Sequence, residues 1–426
     1  MTFVVIVTFL VLALLGMPLA FALGFASLGA LHMADIELLV LPQRMMHAVD
    51  NFPLMAIPLF MLAGELMVEA GIMQRLIDFA NSIVGRIHGG LAHVTIVSGM
   101  IMAAVSGAAV ASASALGSTL VPSLRKHYEP GFSSAVVASA ANLGPIIPPS
   151  NAMIVYALMA GSSVSVGGLF MAGIVPGLIL TIGFMVLSSF ISMRHGYPLT
   201  GEKFSIRNVF VQSRKAFIIF MMPVIVVGGI IGGIFTATEG AAIAVVYALF
   251  IGFFVTRELK ISDLPGALFR AAVTAAMVGA LIAFAATVTF VFTIDLVPLR
   301  LSQFIQDLTS SPTVFILLVM LMLIVVGMFI ESNAAYIMLV PLFAPIALVY
   351  NIDPLFFGFL FVLNLVAGMM TPPVGVLLFV MCGITRISMM ELIHSVWPFV
   401  VLQYVVLILC LVFPDMVTAL PHYLGF

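Results

Sequence analysis

The chain has 426 residues, of which 63% are hydrophobic and only 8% charged, with a formal net charge of -2. A water-soluble domain carries about 25% charged residues, so this composition excludes one. The near-neutral balance also excludes nucleic acid as a partner, because that role needs a basic face.

The first apolar segment runs from Met1 through Leu31. Ala20-Phe21-Ala22 resembles a cleavage site, but the first basic residue is Arg44, so the charged start of a signal peptide is missing. A retained first membrane helix is expected. No Lys, Arg, Asp or Glu falls between Arg86 and Arg125 or between Glu129 and Arg194. A spanning helix needs roughly 20 apolar residues, so the chain is polytopic, with room for roughly ten to twelve membrane elements. Glu65 and Glu69 stand near a span end and read as interfacial.

The apolar stretch from residue 88 to 124 is interrupted by Ser106-Gly107-Ala108-Ala109. Arg86 and His88 precede it and Arg125-Lys126 follow, so both ends carry cytoplasmic charge. Two short segments between like-sided ends predict a re-entrant helical hairpin. Next, residues 133–160 contain Gly144-Pro145-Ile146-Ile147-Pro148-Pro149-Ser150. Proline removes a helix donor and clashes with the preceding turn, at about 3 kcal/mol or more, so a broken helix is predicted. Arg194, Lys203, Arg207, Arg214 and Lys215 mark residues 194–215 as a cytoplasmic connector between a first repeat (1–193) and a second (216–426).

In the second repeat, Thr236-Ala237-Thr238-Glu239 reads as a capping box. Arg257, Lys260 and Arg270 mark a cytoplasmic loop. A second hairpin is predicted over about 313–350, interrupted at Glu331-Ser332-Asn333-Ala334. Asp295, Asp307 and Asp353 bracket it, so it enters from the outer side; Arg44 and Arg300 fall on that side against the charge rule. A second broken helix covers about 354–384, with Gly368-Met369-Met370-Thr371-Pro372-Pro373-Val374 in register with the first break. The fold class expected is an all-α polytopic membrane protein with inverted-topology repeats, two re-entrant hairpins and two broken helices. Cys382 and Cys410 lie in apolar runs and read as small buried hydrophobes.

Irregular backbone at membrane depth is tolerated only inside protein or beside a watery cavity, so two matched breaks point to a binding site. Freed carbonyls are hard oxygen ligands for Na⁺, and half-helix N-termini attract an anion. Ser106, Ser332 and Asn333 at the hairpin tips, and Asn142, Ser150 and Thr371 at the breaks, add hydroxyls and amides, with Asn364 a weaker candidate. Ser112, Ser114 and Ser118 read as helix-packing residues. Glu331 is open to two readings, an ion or proton site or a hydrogen bond to nearby backbone. No Lys or Arg is placed at mid-membrane, so cations carried with an anionic substrate would neutralise it. Neither H-E-x-x-H, G-x-S-x-G nor G-x-x-x-x-G-K-[ST] occurs, which argues against an intramembrane enzyme or an ATP-driven pump.

These residues resemble one family. Phe52-Pro53-Leu54-Met55-Ala56-Ile57-Pro58-Leu59-Phe60 with Ala63-Gly64-Glu65-Leu66, His88-Gly89-Gly90-Leu91-Ala92, Ala115-Leu116-Gly117-Ser118 and the first break carry the likeness in the first half. Gly233-Ile234-Phe235-Thr236-Ala237-Thr238-Glu239 and Thr371-Pro372-Pro373-Val374-Gly375 carry it in the second. They are similar to the large membrane subunit of tripartite ATP-independent periplasmic (TRAP) transporters, the DctM-like proteins, over nearly the whole chain. The resemblance implies an elevator mechanism in the bacterial inner membrane, with Na⁺ as coupling ion and no cofactor. It also implies a small four-helix membrane subunit and a soluble periplasmic binding protein as partners, a small organic acid as cargo, and surrounding membrane lipid. By the same resemblance, Na⁺ sites map onto Ser106, Gly107, Gly144 and Pro145, and onto Ser332, Asn333, Gly368 and Thr371. Asn142, Ser150, Pro148, Pro149, Pro372 and Pro373 then stand as substrate-side residues, with Glu331 a possible ion or proton group. Ala108 departs from the family's Ser-Gly-Ser tip, and the small subunit is expected as a separate chain. A self-sufficient sodium–anion symporter of the same superfamily is the alternative.

Overall fold

The computed structural model describes residues 1–84, 87–199 and 205–426; Arg86 and Lys203, used above as charge markers, lie outside the described residues. In the first half the helices are α1 (Thr2–Leu14), α2 (Leu19–Met33), α3 (Val40–Val49), α4 (Ala56–Glu69), α5 (Ile72–Val84), α6 (Gly90–Ser106), α7 (Ala109–Leu124), α8 (Pro130–Ala141), α9 (Asn151–Ala160) and α10 (Val166–Arg194). The second half contains α11 (Ile206–Ile231), α12 (Ala237–Phe250), α13 (Leu264–Ile294), α14 (Val297–Leu308), α15 (Pro312–Phe329), α16 (Ser332–Val349), α17 (Pro354–Gly368), α18 (Val376–Thr385), α19 (Met389–Val412) and α20 (Asp415–Tyr423). Among the described residues there is no strand, and eight helices are long and apolar enough to cross a membrane. The protein is a multi-pass membrane protein.

One sequence expectation needs correction. The first apolar segment is not one helix: Gly16 takes φ +84° and Pro18 follows, so α1 stops and packs back against α2. Within the polar connector α11 starts at Ile206 and carries Arg207, Arg214 and Lys215 in its first turns.

Each hairpin is preceded by a strongly amphipathic helix, α5 before α6 and α14 before α15. The apolar stripe of α5 faces the protein, whereas α14 buries Ile305 and leaves Phe304 and Leu308 exposed. In α5 the buried side includes Ile72, Met73, Leu76 and Ala80. At the other extreme, every residue of α8 from Gly131 to Ala141 and of α17 from Leu355 to Gly368 is buried. Helices apolar all round belong in the interior, and these two form the centre around which the hairpins wrap: α6 and α7 pack on α8, α15 and α16 on α17.

The inverted arrangement follows from the contacts. Pro354 and Phe357, at the start of α17, lie beside Leu348 at the base of the α15–α16 hairpin. After its break the same path ends in α18, where Thr385 O accepts from Arg125 at the base of the α6–α7 hairpin. The two hairpin bases therefore sit at opposite ends of the molecule. Helices α4 and α13 are likewise antiparallel, since Arg270 near the start of α13 pairs with Glu65 and Glu69 near the end of α4. Those two glutamates, read as interfacial, are partners in a link between the two halves. Glu239 caps α12, its carboxylate accepting from the Thr236 amide at 2.8 Å.

Candidate functional site

At the first tip, α6 ends at Ser106 and the chain reverses through Gly107, whose φ of +62° is the left-handed region open to glycine. A side chain there would also collide, since a Cβ would stand 2.7 Å from Pro149 O and 3.1 Å from Asn151 N. The tip therefore touches the first break directly. Asn151 donates its amide to Gly107 O at 3.2 Å and its side-chain nitrogen to Ser106 O at 3.4 Å. Gly144 closes the other side, where a Cβ would be 3.0 Å from the Ala108 carbonyl. Between the two arms the hydroxyls of Ser106 and Ser112 are 2.8 Å apart and buried. Ser112, expected to be a packing residue, thus belongs to the tip.

The first break spans Asn142 to Ser150, with the Pro148–Pro149 bond cis. Ser150 donates to Pro145 O at 2.6 Å and accepts from Met153 N at 3.3 Å, so its hydroxyl starts α9 and is already satisfied. Ser150 thus serves as the cap of α9. Pro145, Pro148 and Pro149 are buried with it.

The second tip turns through Ile330 and Glu331, both in extended backbone. The Glu331 carboxylate accepts from Ala334 N at 3.2 Å, Asn333 Nδ2 at 3.0 Å and Ser332 Oγ at 3.3 Å. The local hydrogen bond, one of its two readings, is thus present. Here too the tip docks on its break: Gly375 donates to Met328 O at 2.9 Å. Gly368 meets Gly327 backbone to backbone, for a Cβ on Gly368 would lie 2.6 Å from Gly327 Cα. Thr371 donates to Ala367 O at 2.8 Å and pairs with Tyr404 OH at 3.0 Å. The Pro372–Pro373 bond is cis, with Pro372 half-buried and Pro373 exposed. Ser332 and Asn333 direct their described side-chain bonds to Glu331, not to Thr371.

The two breaks also meet each other. Asn142 Nδ2 donates to Val366 O at 3.1 Å, just before Gly368, and to Gln403 Oε1 at 3.0 Å. Asn364 faces away and donates to Met320 O at 2.8 Å within its own half. Sequence reasoning missed Asn151, Gln403 and Tyr404. The available signals were an amide directly after Ser150 and a polar Gln-Tyr pair inside the apolar run of α19.

Chemically, the tips and breaks offer neutral hydroxyl, amide and carbonyl oxygens, a donor set for a hard cation. Among the described residues no group of three or more His, Cys, Asp and Glu gathers as a metal centre. Four half-helices begin in the middle of the protein and differ in their caps. Glu331 caps α16 and Ser150 caps α9, whereas α7 starts at Ala108 and α18 at Gly375 with no side-chain cap. Neither start has a side-chain acceptor, although in α18 the Leu377 amide donates to Met369 O at 3.1 Å, and α7 packs along α18.

The sequence profile of the family described as "Tripartite ATP-independent periplasmic transporter, DctM component" matches residues 6–416. The chain belongs to this family. The TRAP large permease from Vibrio cholerae named for sialic acid, SiaM, is 37% identical, covering 96% of each chain. The Pseudomonas aeruginosa permease named for C4-dicarboxylates, DctM, is 37% identical over 90% of this chain and 89% of its own. The isethionate permease DctMQ of Oleidesulfovibrio alaskensis is 37% identical over 94% of this chain but only 63% of its own length. Among solved structures, the Alcanivorax borkumensis YdaH transporter superposes with a TM-score of 0.64 at 15% identity, covering 86% of each chain. Neisseria gonorrhoeae MtrF follows at 0.59 and 13%, covering 89% of this permease and 85% of that chain. At such low identity these two share the fold alone. As a TRAP large permease this chain is a multi-pass protein of the inner membrane.

Proposed function

We propose that this permease imports a small organic acid together with Na⁺, as the large subunit of a tripartite system moving by an elevator mechanism. The observation that carries this reading is the docking of each break onto its own hairpin tip, from opposite ends of the protein, through Asn151 N to Gly107 O and Gly375 N to Met328 O. Na⁺ would be held by carbonyls and hydroxyls of Ser106, Gly107, Gly144 and Pro145 on one side, and of Ser332, Asn333, Gly368 and Thr371 on the other. Substrate would lie between, near Asn142, Ser150, Pro148, Pro149, Pro372 and Pro373, and Ser150 would act there through backbone shape. The uncapped starts of α7 and α18 favour a carboxylate or other anion, and the bound cations lower its desolvation cost. The relatives named for sialic acid, C4-dicarboxylate and isethionate all name organic anions, which supports that cargo class.

The mobile unit would comprise α6–α10 and α15–α20, sliding against a scaffold of α1–α5 and α11–α14, with residues 1–193 and 216–426 as the inverted repeats. A small four-helix membrane subunit and a soluble periplasmic binding protein would complete the system. Co-reconstitution of all three in liposomes tests it, with labelled sialate, C4-dicarboxylate and isethionate as probes. Uptake that requires an inward Na⁺ gradient and the binding protein is expected. Uptake by this chain alone would favour a self-sufficient symporter, and uptake indifferent to Na⁺ would overturn the coupling.

A further inference from the structure

Helix α19 passes behind both breaks, and two of its consecutive residues reach one break each. Gln403 Oε1 accepts from Asn142 Nδ2 at 3.0 Å, and Tyr404 OH pairs with Thr371 Oγ1 at 3.0 Å. Neighbours on a helix point about 100° apart at a fixed 1.5 Å rise, so one rigid element holds the two contacts in register. The sites touched are interior: Gln403 is 0% exposed, Asn142 1% and Thr371 2%. An amide in this setting costs several kcal/mol to desolvate unless it is matched, and an apolar side chain would fill the space more cheaply. Two atoms of the pair, Asn142 Oδ1 and Gln403 Nε2, are buried without a protein partner. Pure packing glue would not need an amide whose orientation is fixed while half its bonding capacity is left open. With Nδ2 committed to both Val366 O and Gln403 Oε1, the Asn142 carboxamide plane is set and its Oδ1 points to a defined direction.

Among the described residues the first half shows no matching device. On α10 the hydroxyl of Thr181 returns to Gly177 O in its own helix, at 2.8 Å. The bridge is therefore not a by-product of the repeat.

We propose that Gln403 and Tyr404 are positioning residues that couple the two breaks, so that a cation ordering one break pre-orders the other. The inference rests on the sodium-coupled reading above. Coupling of this kind is reciprocal: each occupied site raises the affinity of the other by the same factor.

The test is an Na⁺ titration of thermal melting of the purified full-length permease, against K⁺ at constant ionic strength. Wild type should gain stability with Na⁺ along a sigmoidal curve. Tyr404→Phe, which deletes one oxygen, and Gln403→Met, which keeps the volume, should melt as wild type in K⁺. In Na⁺ both should need about twofold to tenfold more cation for half-saturation, the effect of one lost neutral hydrogen bond. Their Hill coefficients should fall toward one, a change that a structural role alone would not produce. In a Thr371→Val background Tyr404→Phe should add nothing further. An Na⁺-responsive wild type whose two variants keep its midpoint and Hill coefficient overturns the coupling while sparing the sodium reading. Full additivity of Tyr404→Phe with Thr371→Val also overturns it. A wild type blind to Na⁺ overturns the sodium reading and the coupling together. Should Gln403→Met lower the K⁺ baseline, Tyr404→Phe carries the test alone.

Discussion

The first and second hairpin tips share a backbone plan and differ in their chemistry. Both reverse direction at the middle of the protein, and both hand a carbonyl to an amide of the facing break, Gly107 O to Asn151 N and Met328 O to Gly375 N. Beyond that they diverge. The first tip has a glycine in the left-handed region, no charge, a buried pair of hydroxyls and an uncapped α7. The second has no glycine at the turn, a carboxylate that caps α16, and an outer lip where Pro373 is exposed. Repetition thus preserved the contacts that hold a tip against a break, while the groups able to meet an ion or an anion were varied. The first tip is tight and leaves its helix pole unneutralised. The second neutralises its own pole and is more open.

If backbone approach is what the halves have in common, the glycines at those contacts should be the most sensitive positions in both. Gly107→Val must enter a disfavoured φ and meet Pro149 O, while Gly368→Val meets the Gly327 backbone. Each is expected to cost about 1–3 kcal/mol or more and to abolish uptake, read by melting temperature and transport in proteoliposomes. A variant that melted and transported as wild type would break the claim that tip and break are locked at that point.

Next in size is the carboxylate that distinguishes the second tip. Glu331→Ala strips the cap from α16, at about 0.5–2 kcal/mol, and leaves Ser332 and Asn333 without their acceptor. Glu331→Gln retains an acceptor oxygen and should transport close to wild type with an unaltered pH profile. If the carboxylate instead moves a proton, Glu331→Gln would stop uptake and flatten that profile. Smaller again are Ser332→Ala and Asn333→Ala, expected to raise the Na⁺ concentration for half-maximal uptake about twofold to tenfold with normal expression. Sodium dependence unchanged in both would remove the second tip from the ion site.

The parts of this arrangement that were legible in the sequence are those with a large local cost. Three prolines and a glycine between residues 144 and 149 cannot continue a helix, and the matched run at 368–373 repeats the message. Small polar residues interrupting long apolar runs marked both tips. What the sequence did not yield depends on which faces meet. Ser112 looked like any serine in an apolar helix until the fold set it against Ser106. Gln403 and Tyr404 carried a cue, polarity inside α19, but nothing local says that the two breaks lie in front of them. The amphipathic α5 and α14 had a readable stripe whose repetition before each hairpin shows only once the hairpins are placed. The break after Gly16 lay in plain view as Gly16-Met17-Pro18, and the long apolar run around it hid a turn.

The gentlest way to sharpen the comparison is to make the first tip more like the second. Ala108 is the N-cap residue of α7, in extended backbone with φ -136° and ψ 131°, the conformation a capping side chain needs. Alanine supplies no acceptor there, so the first-turn amides of α7 have no side-chain partner. Ala108→Ser adds one oxygen at a half-buried position where a hydroxyl can turn back onto those amides. A gain of about 0.5–2 kcal/mol is expected, seen as a higher melting temperature without any loss of uptake. An unchanged melting temperature would mean that those amides are already satisfied. In that case the bare end of α7 would not be the positive pole that sets the first tip apart from the second.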